Sequence, residues 1–251
     1  MTIPKIENQI LHMDCLAGLA LLPDKSVDMI LTDLPYGVTD CAWDKVLPLG
    51  QLWQSYKRVI KPGGAIVLTC VQPFTTALIQ SNRPMFRYCW YWKKNCPTGF
   101  ALCKKQPMRC IEDIAVFYSS QPTYNPQGLV KLEKPICHKG AKRKAEVYRN
   151  GLGNSYTTEY THYPVNLLEF PVERGLHPTQ KPAALFEYLV RTYTNSGDLV
   201  LDSCMGSGTT AVACIRSGRR FVGFEVDAKY HAAAQSRATE EWEKQKEAQA
   251  W

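Results

Sequence analysis

No Cys-x-x-Cys pair occurs among the ten cysteines of this chain, which removes the simplest zinc knuckle. Cys96, Cys103 and Cys110 recur at every seventh position, but no histidine lies near them to complete a metal shell. Free, mostly buried thiols in a reducing cytosol are expected, with no bound metal. The sequence also lacks any run of about 20 apolar residues, the length a membrane-spanning helix needs. Its start, Met1-Thr-Ile-Pro-Lys-Ile-Glu7, has no apolar stretch of the signal-peptide kind. A cytoplasmic protein without a membrane partner is expected. Internal repeats and low-complexity segments are missing as well.

What is present suits a globular protein. The 251 residues are 45% apolar and 21% charged, enough to bury one sizeable core, and a single α/β domain with insertions fits this length. The formal net charge of +7 points to a polyanionic partner. Its placement is more informative than its size. Lys131, Lys134, Lys139, Lys142, Arg143, Lys144 and Arg149 face only Glu133 and Glu146 in the same stretch.

Short apolar runs alternate with helical periodicity. Strands are expected at Asn8–Met13, Val27–Thr32 and Ala65–Cys70, around Tyr88–Trp92 and Ile114–Tyr118, and at Asp198–Asp202 and Arg220–Glu225. Helices are expected from Asp14, as the cap, to Leu22, over Leu49–Ile60, after Pro73, after Pro182, over Thr209–Ser217 and from Ala228 onward. Such alternation predicts a parallel sheet with helices on both faces. Residues 119–176 break the rhythm. They are rich in Pro, Gly, Asn, Tyr and Lys without a clear period, too long for a connecting loop, and read as a functional insertion.

Two segments carry chemistry. The run Asp202-Ser203-Cys204-Met205-Gly206-Ser207-Gly208-Thr209 joins a strand to a helix through a glycine turn, where backbone can approach a nucleotide closely and a helix start offers free N–H donors. Glu225 ends the next strand, 17 residues after Gly208, a position from which a carboxylate commonly binds ribose hydroxyls. At this point the ligand is either a dinucleotide or S-adenosylmethionine. The second segment, Asp33-Leu34-Pro35-Tyr36, follows a buried strand, where open α/β sheets place active sites. An exocyclic base amine is a poor nucleophile because its lone pair is delocalised into the ring. Two acceptors on its N–H groups, the Asp33 carboxylate and the Leu34 carbonyl, would favour a more tetrahedral nitrogen. Pro35 would fix the turn and Tyr36 would offer a face for a flipped base.

Together with His177-Pro-Thr-Gln-Lys-Pro182, these segments resemble the amino-methylating DNA methyltransferases that carry an Asp-Pro-Pro-Tyr signature and an Asp-Pro-Phe-x-Gly-Ser-Gly-Thr cofactor loop. The motif order is similar to the β-type arrangement, and the resemblance spans nearly the whole chain outside the insertion. It implies a doubly wound, Rossmann-like methyltransferase sheet in one catalytic domain, residues 1–251; by position and charge the insertion, 119–176, is the candidate target-recognition region. It implies catalysis by Asp33, Leu34, Pro35 and Tyr36. S-adenosylmethionine would be held by Asp14, Asp33, Thr179, Lys181, the stretch Asp202–Thr209 and Glu225. Adenine is the implied target, because aspartate in first position usually accompanies it; cytosine-N4 methylation uses the same scaffold. Two departures stand out: Leu34 replaces the first proline, and Ser203-Cys204 replaces the Pro-Phe of the cofactor loop.

DNA is therefore the expected partner, with a homodimer and a companion nuclease left open. Lys93, Lys94, Lys104 and Lys105, interleaved with Trp90, Tyr91, Trp92 and Phe100, suit a nucleic-acid groove, and Lys142, Arg143 and Lys144 suit phosphate contacts. Trp90 and Trp92 share a strand face and are expected in the core. No metal is needed, since a sulfonium already activates the methyl group. A DNA-binding module with a dead cofactor pocket is the non-enzymatic alternative, disfavoured because all three motifs keep their polar groups. An RNA or protein amide methyltransferase would usually start the tetrapeptide with Asn, and a nicotinamide dehydrogenase would need a third glycine.

Overall fold

The computed structural model describes residues 6–37, 45–139, 155–173, 175 and 179–249. It divides into two compact units, one formed by Met1–Asn125 with Asn166–Trp251 and the other by Pro126–Val165. The first unit is built on one sheet. Its strands are β1 (Gln9–His12), β2 (Val27–Asp33), β3 (Ile60–Cys70), β4 (Phe86–Thr98), β5 (Arg109–Phe117), then β8 (Leu167–Glu169), β9 (Leu199–Asp202) and β10 (Arg220–Glu225). The helices are α1 (Cys15–Leu21), α2 (Leu49–Val59), α3 (Phe74–Ser81), α4 (Ala183–Tyr193), α5 (Thr209–Ser217) and α6 (Ala228–Gln249).

The sheet order is β1-β10-β9-β2-β3-β5-β4-β8. From β1 through β3 every pairing is parallel; β5 then runs antiparallel to both β3 and β4. Alternate residues of the central strands face opposite cores, as the pleat requires. Met29, Leu31, Ala65 and Val67 pack with Leu185, Leu189 and Val190 of α4 and with Ala211 and Ile215 of α5. Ile30, Ile66 and Leu68 pack with Leu19 of α1 and with Leu52, Trp53, Tyr56 and Val59 of α2. Full burial of each large side chain stabilises by about 1.5–3 kcal/mol relative to exposure. The expected helices on both faces of an α/β sheet are therefore present. The tryptophans of β4 lie in the core, where Trp90 Nε1 donates to Tyr193 Oη at 2.7 Å and Trp92 Nε1 to the Phe170 carbonyl at 2.8 Å.

Residues 119–176 contain more regular structure than their sequence suggests. Asn166 onward belongs to the first unit, where β8 adds to the edge of β4. The second unit is an antiparallel ribbon of β6 (Val130–His138) and β7 (Tyr156–Thr161). Most of β6 is exposed on both sides, and its short alternation of Val130 and Leu132 with Lys131 and Glu133 is interrupted by Lys134 and Pro135. The expectation of mostly buried thiols also needs correction. Cys96, Cys103, Cys110 and Cys137 are exposed, because they lie on β6, on the outer ends of β4 and β5, and on the turn between those two strands. Cys41 lies outside the described residues. Among the described residues, no helix is long and apolar enough to cross a membrane, and no group of His, Cys, Asp or Glu side chains could hold a metal.

Candidate active site

The strands β2, β9 and β10 are adjacent and parallel, so the segments that leave their carboxyl ends meet. Those segments are the tetrapeptide after β2, the glycine turn after β9 and Glu225 at the end of β10. Together with Asp14 and the Thr179–Lys181 segment they line one cavity of about 390 Å³. Thr32 fastens two of them, its Oγ1 accepting the Ser203 N–H at 3.1 Å, and Tyr56 of α2 is hydrogen-bonded to Ser203 Oγ at 2.6 Å.

Asp33 is the last residue of β2. Its Oδ1 accepts from the hydroxyls of Tyr36 and of Thr69, which pairs with it across β3. Its Oδ2 accepts from Lys181 Nζ at 2.6 Å. Leu34 is 3% exposed and belongs to the α1–α2 core. Packing thus holds the turn where the resembling family uses a proline ring, so the substitution keeps the main-chain carbonyl and replaces covalent rigidity by burial. Tyr36 is half-buried against Phe74, with ring centroids 5.4 Å apart, and the Lys181 ammonium lies 5.6 Å from its ring centroid. The free aromatic face expected of Tyr36 is therefore partly covered in this conformation.

The glycine turn is held from several sides. Glu225 Oε2 accepts the Gly206 N–H at 2.7 Å, and its other oxygen accepts the Asp227 N–H at 2.8 Å. Arg237 of α6 donates to the Ser207 carbonyl at 2.9 Å and to Glu173 at 2.9 Å, while Gln180 bridges Glu173 and Ser207. Gly206 has φ +52° and lines the cavity, with nothing within 4 Å of a Cβ placed there. Gly208 has φ +82°, and a Cβ on it would lie 3.0 Å from the Cα of Ala234. Close packing against α6 therefore explains Gly208, in place of the ligand clearance that its motif suggests. Asp202 is buried; its Oδ1 accepts the Cys204 N–H at 3.0 Å and its Oδ2 accepts from Thr210. Burial outweighs these hydrogen bonds and raises its pKa to about 7. Burial likewise raises Glu225 above the usual carboxylate range, against the amides that stabilise its anion. Asp14 caps α1 by accepting the N–H groups of Leu16 and Ala17 at 2.9 and 3.1 Å, and it also lines the cavity. Cys204 lines it beside Cys15, where the family has an aromatic ring.

The DNA-directed lysines separate. Lys104 and Lys105 are exposed near the turn that joins β4 to β5, and Lys93 is exposed with Glu169 at 3.1 Å. Lys94 is a correction. Its side chain is 4% exposed and pairs with Glu112 of β5 at 2.9 Å, so it cannot reach a phosphate. It shares a strand face with Trp92, and the pleat turns both inward. Lys142, Arg143 and Lys144 lie outside the described residues, as do His177 and Pro178. Sequence reasoning missed Thr69 and Glu112, since neither belongs to a motif; only strand pairing brings them to Asp33 and Lys181.

Comparison with known proteins places this geometry. Residues 27–236 match the N6/N4 methylase family, described as DNA methylase. The chain is 29% identical over 240 residues to the DNA adenine methyltransferase YhdJ of Escherichia coli (strain K12), covering 88% of this chain and 79% of that protein. The M1.HpyAVI–SAM complex is similar in structure, with a TM-score of 0.62 and 26% identity over 91% of this chain and 98% of the other. The cytosine-N4-specific PvuII DNA methyltransferase shares the fold at a TM-score of 0.66 and 17% identity, covering 94% and 91%. The family match extends from β2 into α6 and takes in the tetrapeptide, the glycine turn and Glu225. The chain belongs to the N6/N4 DNA methylase family.

Proposed function

We propose that this DNA methyltransferase moves the methyl group of S-adenosylmethionine to the exocyclic amine of an adenine flipped out of a specific DNA sequence. The observation that carries the reading is the convergence of the Asp33 tetrapeptide, the glycine turn and Glu225 on one cavity. The residues fit that cofactor. Glu225 keeps unused acceptor capacity for ribose hydroxyls, since each carboxylate oxygen has two lone pairs. Asp14, Asp33, Asp202 and Glu225 give the cavity walls an acidic balance against Lys45 and Lys181, suited to a cationic ligand. Met13, Leu47 and Val226 offer apolar surface for a purine. Asp202, Gly206, Thr209, Thr179 and Lys181 would surround the methionine part.

When bound, the sulfonium supplies a methyl group already activated for transfer. The chain's own task is positioning and electrostatics. Tyr36 and Thr69 hold Asp33 Oδ1, so the amine is left Oδ2, which already accepts from Lys181. Asp33 and the Leu34 carbonyl take the two N–H groups, and Tyr36 gives the base the part of its ring that Phe74 leaves uncovered, while its hydroxyl stays on Asp33. Unstacking a base costs a few kcal/mol, which phosphate contacts offset. Exposed Lys93, Lys104 and Lys105 are candidates for such contacts. In the unit Pro126–Val165, exposed Lys131, Lys134 and Lys139 support a target-recognition role for that insertion. The reading places the enzyme in the cytoplasm with DNA, and requires neither a second copy of the chain nor a companion nuclease.

Asp202 gives the pocket a test of its own. Its pKa of about 7 in the free protein must fall when a cation binds beside it, so binding releases a proton. The release is expected to approach about one proton at pH 6, about half at pH 7 and almost none at pH 8.5. Calorimetry of S-adenosylmethionine binding in buffers of different ionisation enthalpy measures it, and Asp202→Asn should abolish it. A binding enthalpy independent of buffer at pH 6 would remove Asp202 from the cofactor site.

A further inference from the structure

Behind Asp33 lies a chain of alternating charges that no motif announces. Lys181 Nζ sits 2.6 Å from Asp33 Oδ2 and 3.6 Å from Glu112 Oε2, and Lys94 Nζ sits 2.9 Å from Glu112 Oε1. The Lys181 and Lys94 side chains are 6% and 4% exposed. Burial opposes the charge on Lys181, but Asp33 and Glu112 outweigh it and hold its ammonium above the ordinary lysine range. Burial likewise opposes ionisation of Glu112, and Lys181 and Lys94 outweigh it. The network is thus two anions and two cations in a buried site.

One atom in it is out of balance. Glu112 Oε2 is buried without a hydrogen-bond partner: its ion-pair contact with the Lys181 ammonium, at 3.6 Å, is just longer than a hydrogen bond. A pair kept only for stability would close that gap, because an unmatched buried oxygen is destabilising. The asymmetry has a use at Asp33. Its Oδ1 is already engaged by two hydroxyls, so an incoming amine must share Oδ2 with the ammonium. An ammonium drawn fully onto Oδ2 would weaken that oxygen as an acceptor.

We propose that Glu112 is a positioning residue for methyl transfer: its free Oε2 receives the Lys181 ammonium as the base amine arrives, returning Asp33 Oδ2 to the amine. A movement of about 0.7 Å brings the ammonium from 3.6 Å to an ordinary charged hydrogen-bond length. The inference rests on Asp33 being the amine acceptor, as proposed above.

The test compares Glu112→Gln, Glu112→Asp, Lys94→Met and Asp33→Asn under saturating DNA and S-adenosylmethionine. Glu112→Gln keeps the volume but removes the charge that draws Lys181 away. Its single-turnover rate is expected to fall at least about tenfold, with KM for both substrates changed less than about threefold. With one anionic neighbour gone, Lys181 titrates lower, and the alkaline limb of the pH–rate profile moves to lower pH. Glu112→Asp should recover part of the rate. Lys94→Met acts in the opposite sense, leaving Glu112 to Lys181 alone, and should keep the wild-type rate or exceed it. A structural role for the network predicts the same loss in Lys94→Met as in Glu112→Gln, and that result overturns the proposal. So does an unchanged rate and pH limb in Glu112→Gln while Asp33→Asn is inactive. An active Asp33→Asn overturns the reading of the site itself, and the proposal with it.

Discussion

Asp33→Ala is expected to slow single-turnover methyl transfer by about 10²–10⁴-fold, the range that removal of a positioned acceptor typically costs. The variant loses the carboxylate that Tyr36, Thr69 and Lys181 together hold at the end of β2. Truncation leaves the Lys181 ammonium with Glu112 as its remaining anionic neighbour, so the buried cation is not abandoned and the fold should survive. S-adenosylmethionine affinity should change by less than about tenfold, or 1.4 kcal/mol. Rapid-quench assay of methyl transfer, with calorimetry of cofactor binding beside it, separates the two effects. A transfer rate within about threefold of wild type, under 1 kcal/mol in barrier, would take Asp33 out of the chemistry.

The two glycines of the cofactor turn should fail in different ways. Gly206→Val puts a branched side chain into the cavity at φ +52°, where nothing lies within 4 Å of its Cβ. Cofactor affinity should fall at least about tenfold, with some stability lost to the left-handed backbone. Gly208→Val instead drives a side chain into the backbone of Ala234, at φ +82°. Overpacking and backbone strain together destabilise by several kcal/mol, and the melting temperature should drop on the order of 10 °C. Cofactor binding to whatever folds should be less affected. Thermal melts with and without S-adenosylmethionine distinguish the pair. If Gly206→Val binds normally and Gly208→Val melts normally, the turn has been assigned the wrong way round.

The contrast between these glycines shows what the sequence carries and what it hides. A Gly-x-Gly between a strand and a helix announces a nucleotide-binding turn, and the apolar runs at Val27–Thr32 and Leu199–Asp202 announce the parallel strands that frame it. These depend on local pattern alone. Which glycine faces the ligand depends on α6, which follows a full strand later and approaches from the side. Lys94 failed for a related reason: a lysine among aromatics reads as a phosphate ligand until β5 supplies Glu112 opposite it. Lys181 was legible as a site residue through its motif, but its link to Asp33 spans 148 positions and needed the fold. The ribbon of β6 and β7 is hard to read because Lys134 and Pro135 interrupt the short alternation of β6, and β7 is mostly polar.

The central claim is that the Asp33 site methylates the amine of adenine. DNA incubated with the purified enzyme and methyl-labelled S-adenosylmethionine, digested to nucleosides and weighed by mass spectrometry, tests it most directly. The account predicts the label in N6-methyladenosine of the deoxy series, and far less of it in the Asp33→Ala reaction over the same time. Label recovered as N4-methyldeoxycytidine would contradict it.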